Sequence, residues 1–227
     1  MVLGLKKFLF KDDAKRSASL PDDVREALES WRAGKAPPFD EPHFHTRYVV
    51  IDVATSGASA ANDELLGIAA VALQSGSMMP GDAFALDLAG ESADANADPA
   101  TVDRQLMAFL TYAGKAPLVT YHSPFVSGFL QRAYKEHLAV DFQPQWVDLA
   151  WLLPSLFPEI SATVVPLDDW LEAFGIGSGG RRNSMDNTLA LGRLFQMLLV
   201  RANEKNILTA AKLVEESQAA TLLRRAR

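Results

Sequence analysis

Hydrophobic positions in this chain fall in short runs, and three of them lie close together. Tyr48–Val53 is apolar apart from Asp52 and predicts a buried strand. A polar turn over Ser56–Asn62 leads to Leu65–Leu73, a second apolar run that predicts another strand, and Gly81–Leu88 predicts a weaker third. Together they read as an antiparallel meander. The pattern then changes. Asp98 is placed to cap a helix beginning at Pro99, and Gly114 to end it. Leu118–Tyr121 predicts a short buried strand, followed by a helix from about Pro124 to His137. Trp146–Leu153 is a further apolar run. Pro166–Phe174 reads as a helix stopped by Gly175, and a long helix should run from Ser184 to Arg201. A last helical stretch, Glu204–Arg224, puts Ile207, Ala211, Val214 and Leu222 on a partial stripe. Ahead of the strands, Pro21–Arg32 predicts a short helix, Gly34 its stop, and Ala36–Pro38 with Pro42 a linker. Strands first, then alternating helices and strands, indicate an α/β domain.

At 227 residues the chain fits one domain with a sizeable core. Cysteine is absent, which removes disulfides and thiolate metal sites and agrees with a reducing cytosol. Met1–Phe10 is too short to span a bilayer and does not continue into a signal-like apolar core, so the expectation is a cytoplasmic protein with no membrane contact. The formal net charge of −6 works against non-specific nucleic-acid binding, although a local basic patch can suffice. Lys6, Lys7, Lys11, Lys15 and Arg16 near the start, and Arg224, Arg225 and Arg227 at the end, read as solvated termini.

Chemistry is concentrated in a few segments. Arg47–Gly57 is an apolar run ending in Asp52, followed by Ala54, Thr55 and Gly57. With Asp63–Val71, Leu118–Leu130, Val147-Asp148, Leu167–Ile176 and Arg182–Phe195, it makes the region from Arg47 to about Val200 resemble the DnaQ-like, DEDDh group of 3′–5′ exonucleases, to which the DNA polymerase III epsilon subunit belongs. The resemblance implies a ribonuclease H-like mixed sheet of about five strands flanked by helices, with Leu118–Tyr121 beside the Asp52 strand. It divides the chain into an N-terminal helical extension and linker (1–46), an exonuclease-like domain (47–202) and a C-terminal helical extension (203–227). Both extensions should pack on the core or on another subunit.

In that family two divalent ions about 4 Å apart clamp the attacking water and the leaving oxygen. Four carboxylates hold the ions, and a neutral histidine takes the proton. Matched residue by residue, Asp52 is retained, but Ala54 stands for the glutamate, Val126 and Asn187 for two aspartates, and Arg182 for the histidine. A one-residue slip would offer Asp186 and Arg181 instead. Leu194, Phe195, Thr188 and Ala190 fit the family only with Asn187 at the ligand position, and one residue turns a helix by about 100°. Arginine is always protonated, so it cannot act as the base and repels a metal. The resemblance therefore implies a degenerate, inactive homologue serving as a scaffold or regulatory protein for an unidentified protein partner. No cofactor is expected, and magnesium or manganese only if residual activity exists. Two alternatives stand beside it: a nucleic-acid-binding module without hydrolysis, and a weak nuclease assembled from Asp52, Asp148 and Asp186.

Asp52 is a metal candidate, with a buried structural acid as the alternative; Arg182, or else Arg181, is expected to pair with it directly or through water, with an arginine pointing to solvent from the Gly-rich loop as the alternative. Thr55 and His122 are candidates for nucleic-acid contact, with strand-end and hydrogen-bonded structural roles as the alternatives. His43 and His45 could share a metal on a strand, but no third ligand is near in sequence. Trp146, Trp151 and Trp170 read as core. Gly177–Gly180 lacks the Lys and Ser/Thr of a phosphate loop. Ala89–Asp98, where the family binds substrate, is small and acidic and should repel a phosphate backbone.

Overall fold

The central strand is buried on both faces, which is why Tyr48–Thr55 reads as a continuous apolar run and not an alternating one. A computed structural model describes residues 15–89, 98, 100–177 and 183–225, without the side chains of 80 and 221–225. Its strands are β1 (Tyr48–Thr55), β2 (Leu65–Gln74), β3 (Ser77–Asp87), β4 (Leu118–Thr120) and β5 (Trp146–Asp148). They form one five-stranded sheet in the order β3-β2-β1-β4-β5. The first three are antiparallel, while β4 runs parallel to β1 through Val49 opposite Leu118, and β5 parallel to β4. The expected meander and the place of Leu118–Thr120 beside the Asp52 strand are both present.

β3 starts four residues earlier than its hydrophobicity suggests. Ser75 and Gly76 both adopt positive φ, 53° and 72°, the two-residue turn that matches strand twist in a hairpin. Residues 80–82 then fall in a bulge between Met79, opposite Ala72, and Ala83, opposite Val71, so Pro80 interrupts no ladder.

Helices α1 (Asp22–Ala33), α2 (Thr101–Ala113) and α3 (Ser123–Leu138) cover one face of the sheet. Helices α4 (Leu149–Leu156), α5 (Leu167–Ala173), α6 (Ser184–Glu204) and α7 (Ala210–Arg225) cover the other. The period of two along β1 sorts its side chains between these layers. Val49, Ile51 and Val53 pack with Leu106, Phe109 and Leu130, while Tyr48 and Val50 pack with Leu194, Phe195 and Leu198. Asp52, in phase with the second set, is carried on the α6 face. Gly192 lets α6 approach closely, since a Cβ there would lie 2.5 Å from Met78 Sδ. Among the described residues no helix is long and apolar enough to cross a membrane.

Several element boundaries differ from expectation for identifiable reasons. Asp98 does not cap α2 itself: it closes the turn before it, accepting from the Ala100 N–H at 2.9 Å and pairing with Arg104 at 2.7 Å. The run Trp146–Leu153 divides into β5 and α4 at Asp148. The last helix starts at Ala210, because Asn206 (φ 61°) breaks the chain after α6 and Thr209 bridges to Pro42. Its buried stripe is Ala210, Leu213, Val214 and Ser217, with Ile207 buried ahead of the helix and Ala211 at the stripe's edge. Both terminal helices pack on the core: Leu20, Val24 and Leu28 join one apolar cluster, and Leu213 and Val214 the other.

His43 ties the linker to the α6–α7 turn. His43–His45 is one 3-10 turn and not a strand. The buried His43 ring has Nε2 2.8 Å from the Ile207 carbonyl, which can only accept. Nε2 therefore carries the proton, and Nδ1 accepts from the Tyr48 hydroxyl at 2.6 Å. Burial lowers the His43 pKa below its usual 6.5. Between that lowered value and 6.5 the unfolded chain binds a proton that the folded chain excludes. His43 thus stabilises the fold fully above pH 6.5, and this contribution is lost as the pH falls through the folded-state value. Urea midpoints between pH 8 and pH 5 should show this loss, at no more than about 1.4 kcal/mol per pH unit for one proton. His43→Gln should flatten that part of the profile; an unchanged slope would remove His43 as its source.

Candidate functional site

The C-terminal ends of β1, β4 and β5 lie together beside the first turn of α6. Asn183 starts that helix, its Oδ1 accepting from the Asp186 N–H at 2.9 Å. The buried Thr188 hydroxyl packs the helix against β2, 3.2 Å from Ala69 O, and shares its single proton between that carbonyl and Ser184 O in its own helix at 2.8 Å. This docking brings Asn187 to Asp52, with Nδ2 donating to Oδ2 at 3.0 Å. The Asn187 amide thus presents its N–H side to Asp52. A metal ion would require the opposite, an oxygen turned inward.

The other matched positions offer no donors. Ala54, opposite Gly67 on β2, carries a methyl group. Val126, in the first turn of α3, is 1% exposed and belongs to an apolar cluster. Among the described residues no group of three His, Cys, Asp or Glu side chains is placed to hold a metal ion. The donor set among the described residues at the matched positions is one carboxylate and one amide, which does not fit a pair of divalent cations. Arg181 and Arg182 lie outside the described residues, as do 90–97 and 99 of the acidic loop; the described partner of Asp52 is Asn187.

Asp148 is committed elsewhere, which corrects its place in an Asp52–Asp148–Asp186 ligand set. It is 1% exposed. Its Oδ1 accepts from the N–H groups of His122 and Ala150, each at 3.0 Å. Its Oδ2 accepts from the Ser123 N–H at 2.8 Å and hydroxyl at 2.9 Å. One carboxylate therefore caps α4 and secures the start of α3. Burial raises its pKa above the ordinary carboxylate value, opposed by those four donors. Sequence carried a signal for this role that hydrophobicity obscured: an aspartate directly before a helical run is a capping residue.

His122 occupies a left-handed conformation (φ 62°, ψ 67°) ahead of α3. The expected structural hydrogen bond is made by its backbone N–H, whereas its ring is exposed, edge-on to Tyr121 at 5.0 Å. Phe125, one helical turn on and 37% exposed, is a surface aromatic that the sequence pattern did not single out. Thr55 donates to Gly57 O at 2.8 Å, a local strand-end contact. Of the tryptophans, Trp170 is fully buried, and Trp146 and Trp151 are half-buried.

Comparison with known proteins relates the chain to one group. No family model matches it. It is 29% identical over 172 residues to the PolC-type DNA polymerase III of Bacillus subtilis and 26% identical over 180 residues to that of Streptococcus pyogenes. These alignments cover 70% and 74% of the chain but only 12% of each polymerase. Escherichia coli exonuclease I in complex with a dT13 oligonucleotide superposes with a TM-score of 0.53 at 13% identity, over 70% of this chain and 42% of that one. The nuclease domain of 3′hExo, a DEDDh family member bound to rAMP, gives a TM-score of 0.53 at 16% identity, over 70% of this chain and 94% of that one. The fold is ribonuclease H-like, and sequence and fold agree in relating the chain to DnaQ-like exonucleases.

Removing the Asp148 carboxylate would strand several buried donors at once. Asp148→Ala should cost about 3 kcal/mol or more in urea unfolding, and Asp148→Asn less, because one amide oxygen still accepts. A loss below about 1 kcal/mol for the alanine variant, a level ordinary for surface changes, would refute the capping role.

Proposed function

We propose that this chain, a relative of the DnaQ-like 3′–5′ exonucleases, does not hydrolyse nucleic acid and acts as a scaffold or regulatory partner of another protein in the cytoplasm. The contact between Asn187 Nδ2 and Asp52 Oδ2 carries the reading: a hydrogen-bond donor is turned to the one matched carboxylate, where a metal-binding site needs oxygens. Ala54 and Val126 support it by supplying no charge. Two divalent ions bring four positive charges, and the described positions return one negative charge. Arg182, matched to the family's general base in sequence, adds a further positive charge. A protein partner accords with a relationship to polymerase chains of which the matched part is a small fraction, and with a structural neighbour described as an ExoI/SSB-Ct complex.

A second reading, nucleic-acid binding without hydrolysis, draws on the exposed His122 and Phe125 at this end of the sheet. Exposed rings of this kind can stack on bases. It also draws on the neighbour solved with an oligonucleotide. The acidic net charge opposes it. Salt-dependent binding to single-stranded DNA and RNA separates it from the scaffold reading.

Degradation of 5′-labelled single-stranded DNA and RNA in magnesium or manganese should not exceed that of the Asp52→Ala variant. Turnover that copurifies with the protein and disappears in Asp52→Ala would overturn the proposal in favour of a nuclease with unexpected ligands. Ala54→Glu, Val126→Asp, Asn187→Asp and Arg182→His singly should restore nothing, because such groups act as a unit; the combination is needed.

A further inference from the structure

At the opposite end of the sheet, where β4 and β5 begin, a cavity of about 370 Å³ opens between the segment after α1 and the segment entering β5. Its volume lies within the range of small-molecule sites, about 300–1,000 Å³. Trp31 and Phe39 come from the N-terminal extension and linker, and the buried Leu118 and Phe142 from the sheet layer. The wall is therefore built jointly by two parts of the chain. Trp31 is fixed by its indole N–H, which donates to Gly114 O at 3.0 Å.

Lys115 sits on this wall with its ammonium 3.1 Å from the centre of the Trp31 ring. The cation–π contact holds the charge in one place. Among the described residues no carboxylate lies within ion-pairing distance of it. Asp141, the single acid lining the cavity, is held by Gln143, whose Nε2 lies 3.0 Å and 2.9 Å from its two oxygens. Burial lowers the Lys115 pKa, as expected for an ammonium partly stripped of water without a counter-charge. Trp31, Phe39, Leu118 and Phe142 give this partly polar cavity an apolar side, and the fixed Lys115 ammonium there has no ion-pair partner among the described residues, an arrangement complementary to an anion with an apolar body.

We propose that this cavity binds a small aromatic or branched aliphatic carboxylate, its apolar body against Trp31, Phe39 and Phe142 and its carboxylate on Lys115 Nζ. The site is remote from Asp52 and independent of any reading of that end. Its test is titration of the whole chain with 4-phenylbutyrate, followed by NMR at the Trp31 indole N–H, beside 4-phenylbutanol and acetate. The carboxylate should give a saturable shift. The alcohol, of the same shape without charge, should bind about tenfold or more weakly, a loss of about 1.4 kcal/mol, and acetate should not saturate. Lys115→Met should abolish the preference for the carboxylate while leaving the alcohol's binding intact, and Asp52→Ala should change nothing. No saturable shift up to the solubility limit, equal binding of acid and alcohol, or an undiminished preference in Lys115→Met would each overturn the site.

Discussion

The buried carboxylate of Asp148 is the interaction on which this end of the fold depends. It lies at the last residue of β5, where the chain must leave a parallel strand and enter a helix with no loop between them. Helix starts leave backbone N–H groups without intrahelical partners. Asp148 serves two of them, the start of α3 through His122 and Ser123 and the start of α4 through Ala150. Its own N–H donates to Ser217 Oγ on α7 at 2.9 Å. One residue thereby coordinates β5 with three helices drawn from both faces of the sheet. A charge this deeply buried is tolerable only because all its described contacts are donors.

Asp52, the other acid at this end, differs in kind. It is half-buried, and Asn187 addresses it with a neutral amide. Nothing in the secondary structure requires it as a cap. The amide brings no charge of its own, so this contact docks the helix without placing a second carboxylate against Asp52. The same economy of charge holds at Val126, which extends the apolar cluster under α3.

Much of this architecture was legible in the sequence because it rests on local rules. Both-faced burial marked β1, and the spacing of Leu65–Leu73 after a polar turn marked β2. What was not legible depends on tertiary contacts. The structural role of His43 is invisible until Ile207, far along the chain, supplies its acceptor. Of the stripe expected on the last helix, Val214 is buried and Ala211 lies at the edge, while Ile207 falls ahead of α7 because Asn206 and the Pro42–Thr209 bridge set where the helix begins. At the site, the sequence brought the helix carrying Asn187 beside the Asp52 strand, as the structure does; the arginine expected to pair with Asp52 lies outside the described residues. The order of donors around a carboxylate follows from helix docking at Thr188 and Gly192, which no local pattern encodes.

On the proposed function, the division of labour between the two acids also bears on why several matched positions in this chain would depart together from the family's carboxylates. With metals present, several carboxylates at close range are mutually stabilised by divalent charge. Without metals, each added carboxylate would repel Asp52, and one at position 126 would enter an apolar cluster where Val126 is 1% exposed. Valine there removes a desolvation cost and adds apolar contact, and asparagine at 187 converts a repulsion into a hydrogen bond. Each replacement relieves the protein in the absence of the others' ligands, whereas each reversal alone introduces an uncompensated charge. The two states, all carboxylates with metal or nearly none without, are therefore both more stable than the mixtures between them. On the proposed function, this chain belongs with the second.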